Sequence, residues 1–256
     1  MVALSRTEAQ WHSHSLGVLE DRSRVIPNGV DPFAFPFAER RPPTVGPWRL
    51  LFVGQLQPLK GVDVLLRAVA LLADENVALD LVYHVDAAKS ELLRRRAELG
   101  LESRVRFLGS RSQESLAREY QRANMLVLPS LEVEQLPSVV TEAMLSGCPV
   151  VASDVGSLRE QLNGAGVVVP RGDPGALAAG IQGMMREYER YCDGALRARE
   201  SALRRFSIGA MVDAHEHLYQ ELLHSDVPVR RHVGGPMFRT QLWRGATAAW
   251  ITLKHS

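Results

Sequence analysis

Apolar and polar residues follow two rhythms along this chain, and the rhythms take turns. Short apolar runs at 49–53, 78–85, 105–108, 126–128, 149–152 and 166–169 read as strands, rich in Val and Leu and buried on both faces. Between them, at 61–73, 88–99, 113–122, 137–145 and 174–189, apolar residues recur at helical spacing with polar residues opposite. Strands separated by one-sided helices predict right-handed crossovers, and hence an α/β fold with a doubly wound parallel sheet. Two closing helices are expected over 195–223, punctuated near Phe206 and Ser207.

The ends depart from this rhythm. Residues 1–31 open as a strand followed by a helix, one of each at most, and then reach Val25-Ile26-Pro27-Asn28-Gly29-Val30-Asp31, where Asn28-Gly29 signals a turn. Residues 32–48 hold five prolines and little periodicity, as an extended linker would. The helix rhythm stops after Leu223. In the tail, 224–256, Pro228 and Gly234-Gly235-Pro236 break the chain before Phe238, Leu242, Trp243, Ala246, Trp250 and Leu253 resume at helical spacing. An aromatic helix face of that kind predicts a chain that self-associates or is poorly soluble, the alternative being a tail that folds onto its own sheet or stays disordered.

Composition narrows the function. Lys and Arg number 30 against 29 Asp and Glu, so bulk charge does not point to a nucleic-acid partner. Cys148 and Cys192 form no C-x-x-C pair, which argues against a disulfide framework or structural zinc and fits a reducing compartment. No apolar run approaches 20 residues and no stretch reads as a signal peptide, so a cytoplasmic protein with at most peripheral membrane contact is expected. His12-Ser13-His14 and His215-Glu216-His217 have a spacing that splays the rings apart on a helix. Arg94-Arg95-Arg96 and Arg197, Arg199, Arg204 and Arg205 read as solvated helix faces, and His84, in an apolar run, as a core or edge histidine.

The chemistry concentrates in 126–154, which reads as strand, loop, helix and strand. Pro137 suits a first helical position, where its missing N–H costs nothing, and Gly147 stops the helix. The amides of Ser138, Val139 and Val140 then stand free at the positive helix end, ready for an anion. Glu134 in the loop and Glu142 in the helix lie eight apart, placed to accept hydroxyl protons beside that anion. Together these describe a phosphorylated sugar. Taken alone, Glu134 reads equally as a solvated loop acid and Glu142 as a helix-surface one. A second loop joins strand 49–53 to the next helix. In it, Gly54 lets a ligand approach the backbone and Lys60 can reach a diphosphate; alone, it is an ordinary glycine turn with a solvated lysine.

Taken in order, these motifs resemble glycosyltransferase family 4, the group 1 retaining enzymes of GT-B fold. Glu134 and Glu142 match that family's E-x7-E motif, and GCPVVASDVGSLRE resembles its G-x-PVVAS-x-x-GG-x-x-E run, with Ser157 at the second glycine. FVGQLQPLKG resembles F-V-G-R-L-x-x-x-K-G, where Lys60 matches the lysine and Gln55 stands at the arginine. Residues 25–31 match the run that leaves the N-terminal Rossmann domain, and 106–110 resemble the loop that cradles the base. Val85-Asp86-Ala87-Ala88 replaces the family's G-x-G-P turn, which predicts a stiffer loop.

The resemblance covers roughly Leu4 to Leu223 and implies the C-terminal, Rossmann-like half of a GT-B enzyme: a remnant of the N-terminal domain at 1–31, a linker at 32–48 and a donor-binding domain at 49–223. It implies transfer of a sugar from a nucleotide diphosphate sugar to an acceptor hydroxyl, with retention and without cofactor or metal. Glu134 and Lys60 would be catalytic, Glu134 on the transferred sugar and Lys60 on the leaving diphosphate, while Glu142 binds ribose. Gly54, Gln55, Gly109, Ser110, Gln135, Leu136, Ser138 and Val139 would complete the donor site. Gln55 removes a bidentate cation, so weaker diphosphate binding is expected. The partners implied are the donor and a saccharide, lipid or small-molecule acceptor, joined, if the chain is a donor subunit, by a separate chain supplying the N-terminal domain. A truncated or excised donor half, a donor subunit and a non-catalytic nucleotide-sugar binding module all remain open.

Overall fold

The computed structural model describes residues 1–19 and 22–224, so the tail expected at 225–256, with its aromatic helix, lies outside the described residues. The chain forms two units, Met1–Leu218 and Tyr219–Ser256, with the boundary inside α9, Ile208–His224.

The first unit is built on six parallel strands: β3 (Trp48–Val53), β4 (Val77–Val82), β5 (Val105–Gly109), β6 (Met125–Leu128), β7 (Val150–Ser153) and β8 (Val167–Val169). Their order in space is β5-β4-β3-β6-β7-β8. The chain therefore starts in the middle, winds outward to β5, crosses back beside β3 and winds out the other way, as a doubly wound sheet does.

Strand periodicity sorts the core into two. Leu50 and Phe52 of β3, with Met125 and Val127 of β6, face α2 (Val62–Leu71), α3 (Lys89–Glu98) and α7 (Pro174–Arg186). Leu51, Val53, Leu126 and Leu128 face α4 (Gln113–Arg122), α5 (Ser138–Leu145), α6 (Leu158–Leu162) and α8 (Tyr188–Phe206). The inner strands β3, β4, β6 and β7 are largely apolar at successive positions because both of their faces are covered. Asp80 is the exception in β4: it is buried, and Arg106 of β5 grips both its oxygens at 2.6 Å.

Three expectations change. The single helix expected at 174–189 ends at Arg186, because Tyr188 is drawn into the core, where its ring meets Trp48 edge-on and its hydroxyl donates to Asn124 O at 2.7 Å. Residues 1–30 hold two short strands, not one: β1 (Val2–Ala3) and β2 (Arg24–Val25) pair in parallel around α1 (Arg6–Leu16). Asn28-Gly29 makes no turn. Val30 bridges to Ser207, and Gly29 is required because a Cβ there would sit 2.6 Å from Ile208 Cα.

The arginines read as solvated faces also do more. Arg199 donates to the carbonyls of Phe35 and Leu145, and Arg205 to those of Glu160 and Gln161. In the linker, Arg40 donates to four carbonyls, of Ala38, Tyr120, Ala123 and Ser146, and so lashes 32–48 to the sheet body.

Candidate functional site

The strand order reverses between β3 and β6, so the loops leaving their carboxyl ends open a crevice there. After β3 the ladder persists briefly: Gly54 N donates to Val82 O at 3.1 Å and Leu56 N to Val85 O at 2.8 Å. Ala88 N returns a bond to Leu56 O, so the 85–88 segment clasps Leu56 from both sides. The chain then tightens into a 3-10 turn, Pro58–Lys60, closed by Gly61 at φ +67°. No other residue fits at Gly61, since a Cβ would lie 1.9 Å from Pro129 O. Leu131 N donates to Leu59 O at 2.8 Å and ties the two loops together.

That knot brings Lys60 and Glu134 into contact. Lys60 Nζ lies 2.7 Å from Glu134 Oε1, and Ser130 Oγ donates to the same oxygen at 2.6 Å. The Lys60 side chain is 30% exposed and that of Glu134 only 11%. The carboxylate is thus nearly buried between two donors, while the lysine keeps more of its surface in solvent. The Glu134 backbone is fixed too. Its carbonyl accepts from Ser157 N at 2.8 Å and from Ser157 Oγ at 3.2 Å, and that hydroxyl also meets Gln135 O. Gly156, at φ +55°, permits the approach, because a Cβ would stand 2.0 Å from Glu134 O. Ser157, where the resembled motif has a second glycine, therefore adds a clamp.

Pro137 caps α5 instead of opening it, with ψ 123°. Val140 N turns back to Pro137 O at 3.2 Å, which leaves the Ser138 and Val139 amides at the helix head. Gln161, fully buried, donates to Pro137 O and Thr141 Oγ1 and holds that end in place. One turn further, Glu142 accepts from Tyr120 OH at 2.9 Å. Burial pushes the Glu142 carboxyl above its ordinary value, against the pull of the Tyr120 and Ser138 hydroxyls.

The expected residues fall into groups along one sheet edge. Lys60 and Glu134 are in direct contact, and Glu142 and Ser138 form a second group on α5. Gly54 and Gln55 follow β3, Gln135 and Leu136 follow Glu134, and Leu136 is buried. Gly109, at φ +71°, ends β5, where its carbonyl accepts from Tyr83 N at 3.1 Å, and Ser110 follows it. Of the two positions expected for His84, core or edge, it takes the edge: it lies beyond β4 and is exposed. Ser130 and Tyr120 were not expected. Only a lone hydroxyl beside a strand end, and another within an apolar helix stripe, signalled them. Among the described residues no group of His, Cys, Asp and Glu is arranged to hold a metal ion, and no helix is long and apolar enough to cross a membrane.

Known proteins resemble this chain in sequence and in fold. Residues 47–187 match the family described as Glycosyl transferases group 1. A D-inositol 3-phosphate glycosyltransferase of Geodermatophilus obscurus is 33% identical over 260 residues, covering 93% of this chain and 56% of its own. The chain spans about half the length of such curated relatives. Among solved structures, a glycosyltransferase from Rickettsia africae superposes with a TM-score of 0.80 at 21% identity, over 88% of this chain and 63% of that one. Anabaena HepE, solved in complex with UDP and glucose, gives 0.74 at 24% identity, over 87% and 62%. The last two likenesses concern the fold, which is that of the GT-B glycosyltransferases. With more than half of its length inside the family match, this chain belongs to the group 1 glycosyl transferases.

Proposed function

We propose that this chain is the donor-binding half of a retaining transferase of glycosyltransferase family 4, passing a sugar from a nucleotide diphosphate sugar to an acceptor hydroxyl in the cytoplasm. The observation that carries the reading is the contact of Lys60 with Glu134 at the strand-order reversal, beside the head of α5. In this reading Lys60 and the Ser138 and Val139 amides take the diphosphate, and Gly54 lets it approach the backbone. Gln55 adds a neutral donor. Glu142 accepts from the ribose hydroxyls, the Gly109-Ser110 loop receives the base, and Glu134, with Gln135 and Leu136, meets the transferred sugar. The anomeric C–O bond breaks as negative charge gathers on the leaving diphosphate, where preorganised donors count most. The acceptor oxygen bonds to the same face and its proton passes to the departing phosphate.

HepE was solved with UDP, and the 33% identical relative is named for D-inositol 3-phosphate, so UDP and a phosphorylated polyol are the first donor base and acceptor to try. Gln55, in place of a fixed cation, favours one second reading: a module that binds the nucleotide sugar without turning it over. Titration calorimetry with UDP and GDP tests the site. Glu142→Ala is expected to weaken the preferred nucleotide by about 1–3 kcal/mol through lost charged hydrogen bonds. Equal affinity of variant and parent would remove Glu142 from the site.

A further inference from the structure

Glu142 is held by a side chain from another helix. Tyr120 of α4 is fully buried, and its ring lies edge-on to Phe35 of the linker, centroids 5.8 Å apart. Its carbonyl accepts from Arg40 Nη2 at 2.5 Å, so linker residues fix both its ring and its backbone. Only the hydroxyl leaves the apolar core. It donates to Glu142 Oε2 at 2.9 Å, with Val139 O at 3.3 Å.

A phenol has one proton to give. Spent on Oε2, it orients the carboxylate, favours its ionised form and leaves the remaining lone pairs for incoming hydroxyls. We propose that Tyr120 is a positioning residue for the donor, its hydroxyl holding Glu142 ionised and aligned for the ribose, and the linker holding Tyr120. The proposal rests on Glu142 being the ribose acceptor, as read above. The groups that face this pair are Ser138 from α5 and Cys148, whose thiol burial pushes up; Arg40 from the linker faces Cys148 and reaches Tyr120 only at its carbonyl. Burial, then the charge of Glu142, holds the Tyr120 proton well above its usual range, so the hydroxyl remains a donor throughout the pH window of the test.

Tyr120→Phe removes one oxygen and keeps the ring. The test titrates parent and variant with the tighter-binding of UDP and GDP from about pH 5 to about pH 8. Near pH 8, the alkaline end of the range, affinities are expected to agree within about threefold. Toward pH 5 the variant is expected to fall about three- to tenfold behind, tenfold being the ceiling for a carboxyl midpoint moved up by about one unit. Coincident pH profiles would overturn the proposal. A second measurement needs no variant: in the parent, the Tyr120 Cζ resonance should step at the pH where the Glu142 carboxyl carbon titrates, and a flat trace there overturns it equally. Glu142→Gln separates the premise from the proposal. If that variant binds the nucleotide like the parent at every pH, the ribose reading itself fails, whatever Tyr120 and Glu142 do to each other.

Discussion

Lys60 and Glu134 satisfy one another at 2.7 Å, yet Ser130 gives the carboxylate a second donor and the ammonium has two further protons to offer. An incoming diphosphate can therefore recruit Lys60 without stripping Glu134 bare. Lys60→Ala leaves a nearly buried acceptor with only the serine, and is expected to lower the unfolding free energy by about 1–3 kcal/mol in urea at pH 7, besides weakening the nucleotide. Unchanged stability would mean that the pair contributes only in the presence of ligand. Glu142 runs the other way. Burial raises its folded pKa, and such a carboxyl stabilises the fold while protonated, an effect complete below its unfolded value and lost as pH rises through the folded one. At neutral pH the ionised group thus costs stability. Glu142→Gln is expected to raise the urea midpoint at pH 7, with the gain shrinking below about pH 4, the unfolded carboxyl range, while nucleotide binding falls. An equal gain at both pH values would trace the effect to packing.

Between residues and fold stand the loops, and here glycine decides. Gly61 and Gly156 both adopt positive φ and both lie against a carbonyl, of Pro129 and Glu134. Gly156→Ala would drive its Cβ into the Glu134 carbonyl and add left-handed strain, so a loss of about 2 kcal/mol or more is expected, together with weakened nucleotide binding. A variant as stable as the parent would show that the Glu134 loop can yield. The regular elements were largely legible, because a parallel sheet covered on both faces writes its strands as apolar runs and its helices as one-sided stripes; 113–122 agrees with α4 end to end. What sequence could not show was chosen by tertiary packing. Tyr188 enters the core and ends α7 at a place with no proline to mark it. Gly29 serves close approach where its dipeptide promised a turn. In the site, Lys60 and Glu134 were legible from their motifs, whereas Tyr120 and the Ser157 clamp depend on contacts 22 and 23 residues apart, beyond any local pattern, and Ser130 on a loop bond that no regular spacing marks.

At the scale of the first unit, the question is how residues 1–30 attach to the sheet body. Polar contacts attach them at two places: the Val30–Ser207 bridge, with Gly29 N donating to Met211 Sδ beside it at 3.3 Å, and Glu160 at the head of α1. Glu160 comes from α6, beside the crevice, and accepts from Arg6 N, Thr7 N and Thr7 Oγ1, each at 3.0 Å. It thus caps the helix from another part of the chain, alongside Ser5, the local cap. Burial pushes its carboxyl up, but the Arg6 and Thr7 amides, the Thr7 hydroxyl and the charge of Arg205 outweigh that and hold it below the usual range. A depressed carboxyl stabilises above its unfolded pKa, and the contribution is lost as pH falls through the folded value. Solvent access keeps the effect near that of an ordinary cap, about 1 kcal/mol. Glu160→Gln is therefore expected, at pH 7, to reduce hydrogen-exchange protection in α1 while β3, β4 and β6 keep theirs, because the two cores do not depend on this strut. The corresponding stability difference should fade on acidification, as the parent loses the same charge. If α1 remains as protected in the variant as in the parent, the β1-α1-β2 segment is held by the Val30 bridge and its own packing, and Glu160 is merely a neighbour.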